Sequence, residues 1–580
     1  MTLASRGPRA PLDEARGAPG GLSCGFVAST LYRNGVIHSS TDPFAEAMLV
    51  DGGVITWIGA NDTAAGLAAR ADRVIDLDGA LVAPGFVDSH VHVLETGLAL
   101  AGVDLSASAG VTSLAGALEA LHAAVAARPA AQADEVLLAF GWDEQEWPEH
   151  RAPTREELDA ACGGALVYAA RVDVHSAVVS TSLARAAGLE GQRGWTETGW
   201  VTEDAHHSAR DAARDLSPER RTALYRTALD AAARRGIVSL HENSAPSIDT
   251  REGLRELMAL TADPAGALPH LVAYRGELCT TPDDARALLA DLPGLAGIAG
   301  DLNVDGSLGS RTAALRHRYS DLTGAPGEAG PDGRGNQYLS AEQIAAHLSA
   351  VAAAGTQGGF HVIGDRAMDA FLVGLRAAAD ADGAAAHRRA AHRVEHALFV
   401  DTNALSTLLL FGVSLSIQPV FDSAWGGPDG MYASRLGPTR VAGLSPFADL
   451  AGAGVPLAFG SDSPVTPLDP WSAVRAAMSH ADPDQRISAR AAFRAHTRGG
   501  WRIAGLDHTG AGQVRVGSPA HLAVWRAEHL AVQGTGTTVS SWSTDARSGT
   551  PLLPDLTDGA PDPTCLQTVR DGVVLFDTFD

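Results

Sequence analysis

The sequence predicts an α/β protein built on a (β/α)8 barrel. A small β-domain from both chain ends and an insertion after the first barrel strand are expected to accompany it. Three observations carry this expectation. The middle of the chain alternates short apolar, β-like runs with Ala-, Leu- and Arg-rich helical stretches, which is the pattern of parallel βα units. Eight such runs can be counted between residues 85 and 462. Most place polar groups at their C-terminal ends, where a barrel of this kind carries its active site.

In chain order, residues 1–24 are rich in Ala, Arg, Pro and Gly and lack the apolar core of a signal peptide. They read as a disordered tail. "MLVDGGVITWIGA" and "RVIDLDGALVAPG" are β-rich runs broken by Gly and Asp turns. "AHLAVWRAEH" and "CLQTVRDGVVLFD" repeat that texture near the C-terminus. Residues 25–84 and 508–580 are therefore expected to make one β-domain flanking a barrel at 85–507. The barrel runs are "GFVDSHVH" (85–92), "GIVSLHEN" (236–243), "PHLVAYR" (269–275), "GIAGDLNVD" (297–305), "GGFHVIGD" (358–365), "HRVEHALF" (392–399), "GVSLSIQP" (412–419) and "VPLAFGSD" (455–462). Two further strand-like runs, "EVLLAFG" and "ALVYAARVD", are assigned to an insertion at about 100–222, placed over the barrel mouth.

Composition removes several function classes. A net charge of −24 disfavours nucleic acid and anionic membranes, because polyanions are repelled. No apolar run is long enough to span a bilayer. Four scattered cysteines without a CxxC pair argue against a disulfide framework or a thiolate zinc site, and suit a reducing cytoplasm. All 44 basic residues are arginine. With no lysine, Schiff-base chemistry, a P-loop lysine and a carboxylated lysine bridging two metals are excluded. The expected partner is a small-molecule substrate, with a homodimer left open.

"FVDSHVH" ends in two histidines one residue apart. Residues i and i+2 of a strand share a face, so His90 and His92 project together. The fifth, sixth and eighth runs bring His361, His396 and Asp462 to the same end. Imidazoles and a carboxylate converging there make a nitrogen/oxygen site suited to zinc, iron or manganese. Singly each has a plain reading: a hydrogen-bonded core histidine, a strand-end salt bridge in "VEH", a turn in "GSD". Their occurrence at successive strand ends in barrel order favours the metal site.

"PGFVDSHVH", "GFHVIGDRAMDA", "HRVEHA", "SIQPVF" and "AFGSDSPVTPLDP" resemble the amidohydrolase superfamily, in particular the branch that includes N-substituted formamide deformylase. "GWDEQEWPEHRAPTREELD", "RVDVHSA" and "VDGSLGSRTAAL" extend the likeness over roughly residues 30–575. The resemblance implies a metal-dependent hydrolase, with the β-domain a β-sandwich. His90, His92, His361 and His396 match the family's histidines, and Asp462 the carboxylate that touches metal and moves protons. Where many relatives carry the carboxylated lysine, four residues before "DG", this chain has Asp301. Asp301, Asn303 and Asp305 are expected on one strand face. One divalent ion, zinc foremost, is favoured, with two kept open and Asp301 a ligand or a supporting partner. Glu203 is a weaker source of a carboxylate, and His206–His207 are expected in a solvated loop.

The expected reaction is attack of metal-activated water on an amide-type carbonyl. Asp462 takes the water's proton and later gives it to the leaving nitrogen, and His396 helps stabilise the oxyanion. Trp142, His175, Arg275 and Gln418 are the candidates for the substrate-binding wall. An esterase, lactonase or deaminase on the same scaffold is the alternative, and a metal-free scaffold a third reading.

Overall fold

Eight parallel strands follow one another around a single sheet: β1 (Phe86–Val91), β2 (Ile237–Ser244), β3 (His270–Arg275), β4 (Gly297–Ile298), β5 (Gln357–Val362), β6 (Arg393–His396), β7 (Ser414–Ile417) and β8 (Leu457–Phe459). Every neighbouring pair is parallel and in sequence order. The computed structural model describes residues 28–129, 135–214, 216–263, 266–324, 329–533, 542–543 and 551–579, so the tail expected at residues 1–24 lies outside the described residues. The strands read as continuous apolar runs because both faces are covered, by helices outside and by side chains within. Phe86, Leu240, Phe360, Val394, Leu415 and Phe459 belong to one buried cluster.

The sheet closes through a short seam. Val91 and Ser463 form a parallel bridge, Asp462 N donates to His90 O at 2.7 Å, and His92 N donates to Ser463 O at 3.1 Å. β4 is shorter than its sequence run. Gly300, at φ +87°, turns the chain where an added Cβ would meet Asn243 at 2.6 Å.

Between β1 and β2 lies a second sheet of Val103–Asp104, Leu137–Trp142, Val167–Arg171, Ala177–Val179 and Trp200–Val201. It is followed by α1 (Glu203–Ala213) and α2 (Pro218–Arg234). Helix α2 starts where Ser217 accepts from Arg220 N and Pro218 pre-sets the first turn. Its buried stripe of Leu224, Tyr225, Ala228, Leu229 and Ala232 has the helical period.

Both chain ends share one five-stranded sheet: Val36–Ile37, Leu81–Pro84, Leu522–Arg526, Thr564–Arg570 and Val573–Asp577. A four-stranded sheet from Thr30–Arg33, Ala47–Asp51, Val54–Gly59 and Arg73–Asp76 shares its apolar cluster, which includes Met48, Ile55, Val82, Leu522 and Val569. Phe86 ties the barrel to this region through edge-to-face contacts with Trp471 and with Trp525 of the terminal sheet. Such pairs are worth about 0.5–1.5 kcal/mol beyond area burial. Among the described residues no helix is long and apolar enough to cross a membrane.

Candidate metal centre

The seam of the barrel is where the predicted ligands meet. His90 and His92 do share a face: His90 Nε2 lies 3.3 Å from Asp462 Oδ1 and 3.4 Å from Asp301 Oδ1. His92 Nε2 lies 3.1 Å from Asp462 Oδ1 and 3.2 Å from Asp301 Oδ2. His396 and Asp462 both sit at positive φ, 69° and 57°. Left-handed backbone at non-glycine residues is strained, and here it turns two strand ends toward one point. The His396 ring lies 4.9 Å from that of His90 and 4.4 Å from that of His361.

Behind these groups stands a support the sequence reading did not resolve. His90 Nδ1 donates to Glu395 Oε2 at 2.8 Å, and Arg393 grips the same carboxylate at 2.5 and 2.8 Å. Arg393 also donates to Ser89 O and lies over the Tyr274 ring. The "VEH" run thus contains both of its readings: Glu395 is in a buried ion pair, and His396 faces the centre. Burial disfavours the Glu395 carboxylate, but Arg393 and His90 outweigh it and hold its pKa at about 2. Likewise His396 Nδ1 donates to Gln418 Oε1 at 2.8 Å, which leaves Nε2 for the site.

The electrostatics are those of opposed charges in a dry pocket. Burial works against a charged His90, yet Asp462 and Asp301 hold its pKa well above the ordinary value. His92 is raised to about 9 in the same way, chiefly by Asp301 against burial. Burial, with His396 beside it, drives His361 well below. A bound cation would take the place of the protons on His90 and His92.

The three acidic-strand candidates separate, in correction of the shared face expected for them. Once Gly300 bends the chain, Asp301 faces the histidines and Asn303 borders the cavity. Asp305 instead accepts from Ile363 N, Gly364 N and Ala314 N, tying the loop after β4 to the end of β5.

A cavity of ≈ 390 Å³ opens over the centre, and His92, His175, Asp301, His396 and Asp462 are on its wall. Three substrate-wall candidates lie elsewhere. Trp142 is fully buried in the insertion, where Nε1 donates to Ala169 O at 2.9 Å. Arg275 is buried against Glu277 Oε1, Ser244 Oγ and Asp249 O. Trp142 has its one N–H taken, and Arg275 has Nε and Nη1 taken by internal partners. Gln418 is not on the wall but behind His396.

His206 and His207 lie on helix α1 over the cavity and not in the loop expected for them; His207 is exposed, as expected, and His206 is not. His206 is 2% exposed and its Nε2 bonds the Tyr168 hydroxyl at 2.8 Å. Glu203, from the same helix, borders the cavity and pairs with Arg193 at 3.0 Å. Arg210, missed in the sequence, is on the wall as well. The i, i+4 spacing of His206 and Arg210 was the available signal, had the segment been read as a helix.

The donor set fits a divalent cation. His90 Nε2, Asp301 Oδ1 and both ring nitrogens of His361 are buried with no hydrogen-bond partner. Such atoms are costly unless something completes them. Two donor groups meet the spacing of a metal site, His90–Asp301–His396 and His90–His92–Asp462.

Comparison with known proteins agrees with this geometry. The family model described as "Amidohydrolase family" matches residues 73–576. The chain is 27% identical over 518 residues to Protein LONG AFTER FAR-RED 3 of Arabidopsis thaliana, covering 83% of this chain and 85% of that one. It is 33% identical over 115 residues to N-substituted formamide deformylase of Arthrobacter pascens, 20% of each chain. The crystal structure of an uncharacterized metal-dependent hydrolase from Pyrococcus horikoshii OT3 superposes with a TM-score of 0.66 at 26% identity, covering 86% of this chain and 97% of that one. The protein belongs to the amidohydrolase family and is a metal-dependent hydrolase of that superfamily.

Proposed function

We propose that the protein hydrolyses a non-peptide C–N bond, of the amide or formamide kind, in a small molecule. One divalent ion, zinc by preference, would be held by His90, His92, His361, His396, Asp301 and Asp462 or a subset of them. The observation that carries the reading is the set of unpartnered buried donors facing Asp462 at the base of the cavity. When bound, the cation supplies a lowered pKa for water and polarisation of the scissile carbonyl. Both donor groups contain His90, whose Nδ1 is taken by Glu395, so its single free nitrogen serves one ion.

Asp462 is suited to moving the proton. Burial opposes its ionisation, but His90 and His92 keep it a carboxylate. It accepts a proton from the attacking water and delivers it to the departing nitrogen, which must be protonated to leave. The balance is R–CO–NH–R′ + H2O → R–COO⁻ + R′–NH3⁺. His396, its Nδ1–H held by Gln418, presents an unprotonated Nε2 as a donor to the cation, so it would bear on the developing oxyanion through that ion and not by a hydrogen bond. The likeness to N-substituted formamide deformylase favours a formamide-like bond within this class. We read the two sheets at the chain ends, with their shared core, as a β-sandwich beside the barrel.

The test is a panel of N-formyl and N-acyl amines against matched esters and lactones, with the zinc-loaded enzyme and Asp462→Asn. Amine release by the wild type and its loss by at least about a thousandfold in Asp462→Asn, with zinc content kept, are expected. Ester cleavage without amide cleavage would move the assignment to an esterase.

A further inference from the structure

Five carboxylates and two guanidinium groups border the cavity, and they differ in how completely the protein pairs them. Asp173 is 3.3 Å from Arg171 and accepts from Ser307 Oγ and Ser310 Oγ. Glu203 and Asp204 share Arg193, at 3.0 and 2.9 Å. Asp301 and Asp462 face the histidines of the centre. Arg210 is ion-paired but not hydrogen-bonded. Its side chain is 9% exposed and donates no hydrogen bond to any described residue. Its Nε is buried without a partner, and its nearest carboxylate oxygen, Glu95 Oε1 at 3.4 Å, is also packed against Arg214.

Guanidinium offers five N–H donors in a planar fork that matches a carboxylate. Burying Nε without an acceptor, and leaving the rest of the fork with only a shared ion pair to Glu95, is unfavourable, so the group has donors to offer a ligand. The neighbouring imidazoles do not duplicate its charge: burial, with Arg210 adjacent, keeps His206 and His207 neutral. The cavity wall therefore presents on α1 a guanidinium that shares its one carboxylate, Glu95, with Arg214 and has donors to spare, and the hydrolytic centre at the barrel end.

We propose that Arg210 binds a carboxylate of the substrate, and that the substrate class is an N-acylated compound bearing one carboxylate, such as an N-acyl amino acid. This deepens the C–N hydrolase reading and rests on it for the bond cleaved, whereas recognition of the carboxylate is independent. The amide would lie over the centre while the carboxylate is paired on α1, which sets the orientation of the bond to be cleaved.

The experiment compares N-acetyl amino acids with their C-terminal carboxamides, pairs that differ in charge alone. Binding is measured by calorimetry on the zinc-loaded wild type and Arg210→Gln, and turnover on the same pairs. The wild type is expected to favour the acids by at least about tenfold. Arg210→Gln should erase that preference, raising KM for the acids about tenfold or more with kcat within about threefold, while the carboxamides are unaffected. Should Arg210→Gln not fold, Arg210→Lys, which keeps the charge without the fork, is expected to weaken acid binding selectively. Equal affinity for acid and carboxamide in the wild type, failure of any acid to bind, or a preference unchanged in the variant overturns the proposal. Charge preference in binding without hydrolysis of any pair would retire the C–N reading and leave Arg210's role standing. Hydrolysis indifferent to charge would do the reverse.

Discussion

Glu395 Oε2 lies 2.8 Å from His90 Nδ1, and this contact fixes which nitrogen of His90 faces the cavity. The same carboxylate neutralises Arg393, so one buried anion serves both the metal centre and the barrel core. Histidines that bind metal commonly need such an oriented second nitrogen.

Glu395→Gln keeps an acceptor for His90 but strips the counter-charge from Arg393. Zinc affinity is expected to fall by about 10–100-fold. Folding stability should fall by about 3–5 kcal/mol, the usual effect of breaking a buried ion pair from one side. A competition titration with a chelator and a denaturant melt read the two effects separately. Unchanged affinity would place the orienting role elsewhere.

Asp301 contacts both His90 and His92, in the position where a bridging lysine is absent. Asp301→Ala should lower zinc content per chain after dialysis, and activity with it. A full complement of tightly held zinc in the variant would make Asp301 a partner of the histidines and not a ligand.

The pH dependence of stability has two limbs. Glu395 and Glu144 have folded-state pKa values of about 2, because nearby arginines outweigh burial. Unfolded, such groups titrate near about 4.3. Their stabilisation is therefore complete above about pH 5 and is lost as pH falls toward 2. Asp305 has the opposite sign: burial outweighs its three backbone donors and raises it to about 7. It makes the fold more stable as pH falls from 7 toward 4. The thermal midpoint of the metal-free chain should pass through a maximum near about pH 5. A monotonic profile between pH 3 and 8 would contradict this.

Trp142 packs against Trp147 and Trp200 and donates to Ala169 O. Trp142→Phe is expected to lower stability by about 1–3 kcal/mol through the lost hydrogen bond and the space left behind. KM should stay within about twofold. A large rise in KM with unaltered stability would return Trp142 to the substrate wall.

The barrel was legible because its signals are local. Each strand is an apolar run between turns, and His90, His92, His361, His396 and Asp462 each end one of them. What stayed hidden depends on contacts distant in the chain. Arg275 at a strand end looked available, but Asp249 O and Ser244 Oγ, from the neighbouring strand and loop, take its Nη1 donors and hold it away from the cavity wall. The "GWDEQEW" motif looked like a substrate wall, yet its acidic residues clamp Arg171, and Glu144 reaches Arg435 at 3.1 Å across 291 residues. Such pairings have no periodicity to betray them. Asp301 was half legible: its position was clear, but the break at Gly300 that frees it from Asp305 was not.

The seam that closes the barrel joins residues about 370 positions apart, as in the bond from Ser461 N to Asp88 Oδ1. His90, His92 and Asp462 lie on that seam, so the contact that closes the barrel sheet also completes one of the two donor groups. A chain clipped before residue 460 lacks Asp462 and the strand end that closes the seam, and keeps only the His90–Asp301–His396 group. A cation held by His90, His92 and Asp462 would act as a clasp across the two ends of the sheet.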